Sequence, residues 1–508
     1  MPAEISSNRK VGALLISTFL VAMCALAYEL LMGSVSSYFL GNSVTHFSLT
    51  IGLFLSFMGL GSLLSKRIES ALLERFIFIE IVLSVVGGFS TLALYAAFTF
   101  TPYFYLFVLA FIGTIGTLIG FEIPIITRLV ERHQKLSHAV AHVFTADYLG
   151  SLIASVAFAL ILLPWLGLMR SAFAIGLINI VAAAITLIEF RSQITHRKAL
   201  VIATLLATTL LVIGTVATTP AVSYFEQKLY SDEILYSKQS AYQNIVLTRF
   251  HDDTRLFLNG SLQFSSMDEY RYHETLVHIP MSAAATQESV LILGGGDGLA
   301  AREVLKYPDV ERITLVDLDP VVTTLAASHP LLTELNEQSL HDPKVTVINQ
   351  DAQTYLEHTS DRYSVILIDL PDPNDIAVGK LYTVEFYTLI AQHLAEGGMV
   401  VTQATSPYFS RSAYWCIANT MNDVFGNTSP YTVNVPSFGP WGFVMASKTT
   451  ISSSSVDVAT RYLTPEILST LFTIDPDMQR VDTDINTLDN QILVQLYDGG
   501  WQQWYQQR

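Results

Sequence analysis

Charge is scarce in this chain: Asp, Glu, Lys and Arg make up 14% of its 508 residues, while 51% are hydrophobic. Soluble domains carry about 25% charged positions, so the chain as a whole is not an ordinary soluble protein. Cysteine is scarcer still. The two present, Cys24 in an apolar stretch and Cys416 far downstream, exclude a disulfide framework and a cysteine-rich metal centre. The histidines, His142, His273 and His278 among them, are read as structural, so no metal is expected. Basic residues are few where a soluble domain would need them for nucleic acid: residues 220–508 hold 16 Lys and Arg against 35 Asp and Glu, whereas residues 1–219 hold 12 against 9. An acidic surface forgoes the counterion release that drives nucleic-acid binding, so no such partner is expected. It can concentrate a small polycation, although acidity of this kind serves mainly for solubility.

In place of charge stand long apolar runs at residues 11–31, 44–64, 76–98, 103–126, 141–164, 172–190 and 199–219. Each approaches the roughly 20 residues that cross a hydrocarbon core. The pattern predicts an α-helical membrane bundle of about seven spans over residues 1–225, lipid around it, and a multi-pass location in the cell membrane. The first run is too long, and too soon followed by others, for a cleaved signal peptide. Basic residues gather in alternate loops, at Arg9 and Lys10, Lys66 to Arg75, Arg128 to Lys135, and Arg191 to Lys198. The positive-inside rule then places the N-terminus in the cytoplasm; seven spans would set the following domain on the other face, and the side it occupies stays open. Glu29, Glu80, Glu122 and Asp147 fall within the runs. In lipid a carboxyl group is costly unless it meets a partner or water, which points either to a polar pathway or to interhelical hydrogen bonds.

From about residue 240 the periodicity changes. QNIVLTRF and RLFL lead to Asn259-Gly260 and then SLQF, a strong hairpin signal. Beyond this small β-subdomain, VLILGGGDG at 290–298 runs from an apolar strand into a glycine turn and a helix. Three further strands end in acids: Asp317 and Asp319, Asp351, then Asp369 and Asp372. Strand–helix alternation with acids at strand ends predicts a doubly wound, Rossmann-like sheet of the class I methyltransferase type, its ligand along the carboxyl edge. The glycines let a bound group approach the backbone, and Asp317, about 20 residues on, suits the two hydroxyls of a ribose. Asp297 lies within the turn itself. A carboxylate there repels the carboxylate of a methionine-type tail but accepts a lone ammonium, so the turn favours decarboxylated S-adenosylmethionine over S-adenosylmethionine. A plain helix-capping role for Asp297 is the alternative.

Over residues 240–447 the chain resembles the spermidine synthases, the polyamine aminopropyltransferases, on AYQNI at 241–245, DEYRYHE at 268–274, LGGGDG at 293–298, QDA at 350–352, DLPDP at 369–373 and VTQATSP at 401–407. The resemblance implies that Gln243, Asp317, Asp351 and Ala352 hold the thioadenosine part of the donor and that Asp297 holds its ammonium. It implies that Tyr272 and His273 border a shared donor and acceptor tunnel, with polar contacts from Gln263 and Gln403. Asp369 matches the catalytic acid, and Asp372 the carboxylate that orients the acceptor. Decarboxylated S-adenosylmethionine is then a co-substrate and 5′-methylthioadenosine a product, with no resident cofactor. Three departures remove polarity near the acceptor: Leu370-Pro371 between the two aspartates, Thr405 in place of a usual Glu, and Phe438 in place of a usual Tyr. The implied activity is transfer of an aminopropyl group to a small polyamine, most simply putrescine. A methyltransferase, an aminopropyltransferase with another acceptor, and a polyamine-sensing or transporting protein with a binding-only domain are the competing readings. The expected organisation is a helical domain over 1–225, a transferase domain over 226–450 and a C-terminal appendage over 451–508, with room for a homo-oligomer.

Overall fold

The computed structural model describes residues 2–40, 43–230, 232–451 and 455–505, and the chain divides into two compact units, Met1–Ser231 and Asp232–Arg508. The first unit is helical: α1 Pro2–Leu40, α2 Ser43–Ser65, α3 Leu72–Phe100, α4 Phe104–Glu131, α5 Leu136–Ala157, α6 Gly167–Glu189 and α7 Arg197–Leu229. Among the described residues six helical stretches are long and apolar enough to cross a membrane. The seven expected runs appear as six stretches because two of them, 141–164 and 172–190, fall within one stretch of 54 residues, Leu136–Glu189. Within it a π-helical segment, Phe158–Leu166, carries Pro164 and ends at Gly167, whose φ of 71° and ψ of 179° break the helix. On one side of the break Gly150 packs against Phe19 and Ala22 of α1. On the other, Cys24 of α1 donates to Ile175 O and Ser17 pairs with Thr186. Unbroken, residues 150 and 175 would stand about 38 Å apart at 1.5 Å per residue; both meet the same few turns of α1, so α5 and α6 are two separate legs that each pack on α1. Elsewhere small residues bring backbones together: a Cβ on Gly61 would lie 2.1 Å from Thr117 O, and one on Gly120 2.1 Å from Met58 O, so α2 and α4 pack at glycine contacts.

The second unit opens with an antiparallel sheet of β1 Glu233–Gln239, β2 Asn244–Phe250, β3 Asp253–Leu258 and β4 Ser261–Ser265. Asn259 and Gly260 take φ of 50° and 80° between β3 and β4, as the expected two-residue hairpin requires. Helix α8, Glu269–Ala283, leads into a seven-stranded sheet of β5 Ser289–Gly294, β6 Arg312–Asp317, β7 Val345–Asn349, β8 Tyr363–Asp369, β9 Leu394–Gln403, β10 Asn427–Val435 and β11 Gly439–Ser447. Its order is β10-β11-β9-β8-β5-β6-β7, with β5 to β9 parallel and the last two antiparallel. The near-continuous apolar runs of β5 and β8 follow from burial on both faces. Because β6 lies on one side of β5 and β8 on the other, the strand order reverses at β5, where a crevice opens at the carboxyl edge. The tail is built into this core: Leu463 and Leu471 join the cluster on one face and Leu493 that on the other, while Trp415 Nε1 donates to Met478 O at 2.9 Å.

Candidate functional site

The crevice begins where β5 ends. Gly294 and Gly295 take φ of 83° and 63°, and a Cβ on Gly294 would lie 2.1 Å from Asp369 O, so the turn is pressed against the end of β8. Gly296 N–H donates to Asp317 Oδ2 at 3.1 Å, and Asp319 N–H donates to Asp317 Oδ1 at 2.9 Å. Burial raises the Asp317 carboxyl to about 6 despite those two donors. Asp297 Oδ1 accepts from Leu299 N–H at 2.9 Å, a turn bond just ahead of the helix Leu299–Val304, whose N-cap is Gly298. Burial also raises its pKa, opposed by the charge of His273.

Opposite the turn, α8 presents Tyr272 and His273. Tyr272 donates to Asp369 Oδ1 at 2.6 Å. His273 Nδ1 meets Glu269 Oε2 at 2.8 Å, and Arg302 forks onto Glu269 at 2.9 and 3.0 Å. Burial alone would keep His273 neutral. The Glu269 carboxylate, aided by Asp297 and Asp369, outweighs it and lifts the imidazole to about 9. Asp369, half-buried at the end of β8, is raised by desolvation to about 6, the nearby imidazolium working the other way. His273, expected only to border a tunnel, is therefore a buried cation at neutral pH. A group whose folded pKa is raised stabilises fully below its unfolded value, near 6.5, and loses that contribution as pH rises through about 9. The melting-temperature gap between the parent and His273→Gln is accordingly expected to narrow between pH 6.5 and 9.5, as thermal unfolding at stepped pH would show. A constant gap would mean a neutral histidine.

The other half of the crevice is built around Asp372. Thr405 Oγ1 reaches its Oδ2 at 3.3 Å, Gln403 Nε2 its Oδ1 at 3.4 Å, and Tyr497 Oη donates to Oδ2 at 2.9 Å. Burial holds Asp372 near 6 against these donors. Gln403 Nε2 also donates to Leu370 O at 2.8 Å, and Tyr382 Oη to Pro371 O at 3.0 Å, so the apolar pair between the aspartates offers its carbonyls. Phe438 lies edge-on to Tyr272 with 6.4 Å between ring centres.

Not every expected residue joins this cluster. Gln243 donates to Asp319 Oδ2 at 3.1 Å, beside Asp317. Asp351 caps the helix Ala352–His358 through Thr354 N–H and pairs with Lys380 at 3.0 Å; these contacts outweigh burial and lower its pKa. Ala352 is buried at that helix start. Gln263 donates to Ser261 O on its own strand and, among the described residues, bonds to none of the acids. Sequence reasoning missed Tyr382, Lys380, the Glu269–Arg302 pair and Tyr497, which comes from the helix Ile492–Tyr505, 125 residues beyond its partner. Only Glu269 lay inside a quoted motif.

The family profile described as Spermine/spermidine synthase domain matches residues 269–458. A polyamine aminopropyltransferase of Leptospira interrogans is 44% identical over 495 residues, covering 96% of this chain and 98% of its own. That of Oceanobacillus iheyensis is 44% identical over 497 residues, covering 96% and 97%. A spermidine synthase solved with the transition-state analogue AdoDATO is 27% identical, covers 48% of this chain and 86% of its own, and superposes with a TM-score of 0.46.

Proposed function

The chain belongs to the polyamine aminopropyltransferase family, and we propose that it transfers the aminopropyl group of decarboxylated S-adenosylmethionine to a polyamine acceptor, putrescine first, giving spermidine and 5′-methylthioadenosine. The observation that carries this reading is the half-buried Asp369 at the end of β8, hydrogen-bonded by Tyr272 and facing the glycine turn. The acceptor's free amine has a pKa near 10.4, judged from lysine, and must lose a proton to attack. Its nitrogen bonds to the methylene beside the donor sulfonium, the carbon–sulfur pair returns to sulfur, and the proton passes to Asp369. Methylthioadenosine leaves neutral, so no acid is required. A carboxyl near 6 is ionised at neutral pH yet close enough to it to act as a general base. Alignment of amine and sulfonium supplies much of the remaining rate.

In this reading Asp317, Asp351, Ala352 and Gln243 hold the nucleoside, Asp297 the donor ammonium, and Asp372 with Gln403 the acceptor. Residues 1–225 form a membrane bundle; the outward side chains Leu152, Leu160, Trp165 and Val216, each more than half exposed, support lipid around it. Residues 226–508 carry the chemistry. Incubation with decarboxylated S-adenosylmethionine and a panel of amines tests the acceptor: putrescine should give the highest kcat/KM, and a clear preference for another amine would reassign it.

Tyr497 extends this account to the tail. Its removal as Tyr497→Phe deletes one donor to Asp372 without emptying space, so the KM for the amine should change about 5–15-fold, the weight of a hydrogen bond to a charged group discounted for the two donors that remain. The Kd for methylthioadenosine should not move. Steady-state kinetics beside calorimetry would show the split, and a fall in kcat alone would place Tyr497 elsewhere.

A further inference from the structure

The tail enters the crevice from beyond the residues that match the family profile, which end at 458. Its helix Ile492–Tyr505 brings Tyr497 Oη to 2.9 Å from Asp372 Oδ2. The two oxygens of that carboxylate serve different neighbours. Oδ1 takes Gln403 Nε2, which lies 2.8 Å from Leu370 O, one residue beyond Asp369. Oδ2 takes Thr405 and Tyr497. An amine chain that runs from Asp369 past Asp372 therefore comes up against the Tyr497 ring.

That ring is backed by others. Trp501, one helical turn on, has its ring centre 6.2 Å from that of Tyr497 and stacks on Phe409 at 5.1 Å. Phe409 in turn lies against Gly439, where a Cβ would be 3.2 Å from its ring, next to Phe438 and so to Tyr272. The backbone behind Tyr497 is pinned as well. Ser410 Oγ donates to the Leu496 and Tyr497 carbonyls, both at 3.4 Å, and Gly500 sits on Ser410 without room for a Cβ. Asn486 Nδ2 donates to Gly379 O at 3.3 Å and Tyr382 O at 3.1 Å, so the tail also holds the segment that follows Asp372. A wall packed in this way yields little to an intruding group.

Such a wall limits length. The far ammonium of putrescine sits on Asp372 in the reading above, whereas spermidine carries one aminopropyl segment more, which must pass that carboxylate if the other end is to reach the sulfonium. We propose that Tyr497, backed by Trp501 and Phe409, sets the length of the acceptor, so that the tail admits a short diamine and refuses the longer product a second transfer. This rests on the transferase reading and adds to it a specificity-determining residue outside the matched domain. The selection works by clash against the longer amine, not by added affinity for the shorter.

The test is kcat/KM for putrescine and for spermidine, with decarboxylated S-adenosylmethionine as donor and the full chain in detergent. The parent should prefer putrescine. Tyr497→Leu, which removes the ring but keeps apolar packing, should raise the spermidine-to-putrescine ratio about tenfold or more, the scale on which a pocket discriminates by size. Trp501→Leu, which withdraws the backing ring, should move the ratio the same way. Tyr497→Phe keeps the wall and loses only the hydroxyl, so the ratio should stay within about twofold of the parent's. Methylthioadenosine binding by calorimetry reports folding in each variant. Ratios unchanged in both leucine variants would overturn the proposal, as would a parent that uses spermidine as readily as putrescine, or a Tyr497→Phe ratio that moves with that of Tyr497→Leu. Loss of methylthioadenosine binding in both leucine variants would overturn it too, making the tail a support of the whole crevice. A parent that extends neither amine would instead remove the transferase reading, and this inference with it.

Discussion

Asp369→Asn is expected to lower turnover by roughly 10²–10⁴, the usual weight of general base catalysis, while donor affinity stays within about twofold of the parent, a margin small beside the tenfold that 1.4 kcal/mol brings. Asparagine keeps the shape and still accepts from Tyr272, whose bond to Oδ1 spans 2.6 Å, so the end of β8 should hold its place. What is lost is the charge and the basicity. The nucleoside contacts assigned to Asp317 and Asp351 remain. Because the Asp369 carboxyl lies near 6, the parent's kcat/KM should rise with pH through about 6 as the base ionises, and the variant should lose that limb. Alkaline solution supplies more neutral amine, so the variant should recover rate above pH 9 more steeply than the parent. Near-parental turnover at neutral pH would remove Asp369 from proton transfer and favour a binding-only crevice.

Asp297→Asn should weaken the decarboxylated donor by about 1.5–3 kcal/mol, the range for a hydrogen bond to a charged group, or roughly 10- to 150-fold. It should also relax the rejection of S-adenosylmethionine. Local structure is protected, since an asparagine oxygen accepts from Leu299 N–H as the carboxylate does at 2.9 Å. His273 complicates the simple repulsion argument: its imidazolium stands close enough to oppose the rise in the Asp297 pKa, and so offsets part of the charge that a donor carboxylate would meet. Competition calorimetry with both donors measures the balance. Unchanged selectivity would mean that Asp297 only braces the turn before the helix and that His273 neutralises it.

The parts of this fold legible in the sequence are those with a local signature. Apolar runs near 20 residues marked the helical unit, Asn259-Gly260 fixed a hairpin, and the acids Asp317 and Asp369 closed strands that meet at the strand-order reversal. The two legs α5 and α6 were legible as separate apolar runs at 141–164 and 172–190, although their helical hydrogen bonding scarcely pauses before Gly167. Long-range partners were not legible. Tyr497 reaches Asp372 only because the tail folds back, its Gly500 against Ser410 and its Trp501 stacked on Phe409 at 5.1 Å, and nothing near YDGGW announces that. The charge on His273 depends on Glu269 one helical turn away in α8 and on Asp297 and Asp369 from two strand ends, which together outweigh burial; only the first of these is visible in DEYRYHE. Lys380 on Asp351 is likewise a product of folding.

The most direct test of the central claim uses the full chain in detergent with decarboxylated S-adenosylmethionine carrying an isotopic label in its aminopropyl group, putrescine as acceptor, and mass spectrometry of the products. The account predicts labelled spermidine and 5′-methylthioadenosine in equal amounts, formed by the parent and nearly abolished in Asp369→Asn. Methylated amine, or binding of both substrates with neither product formed, would contradict it.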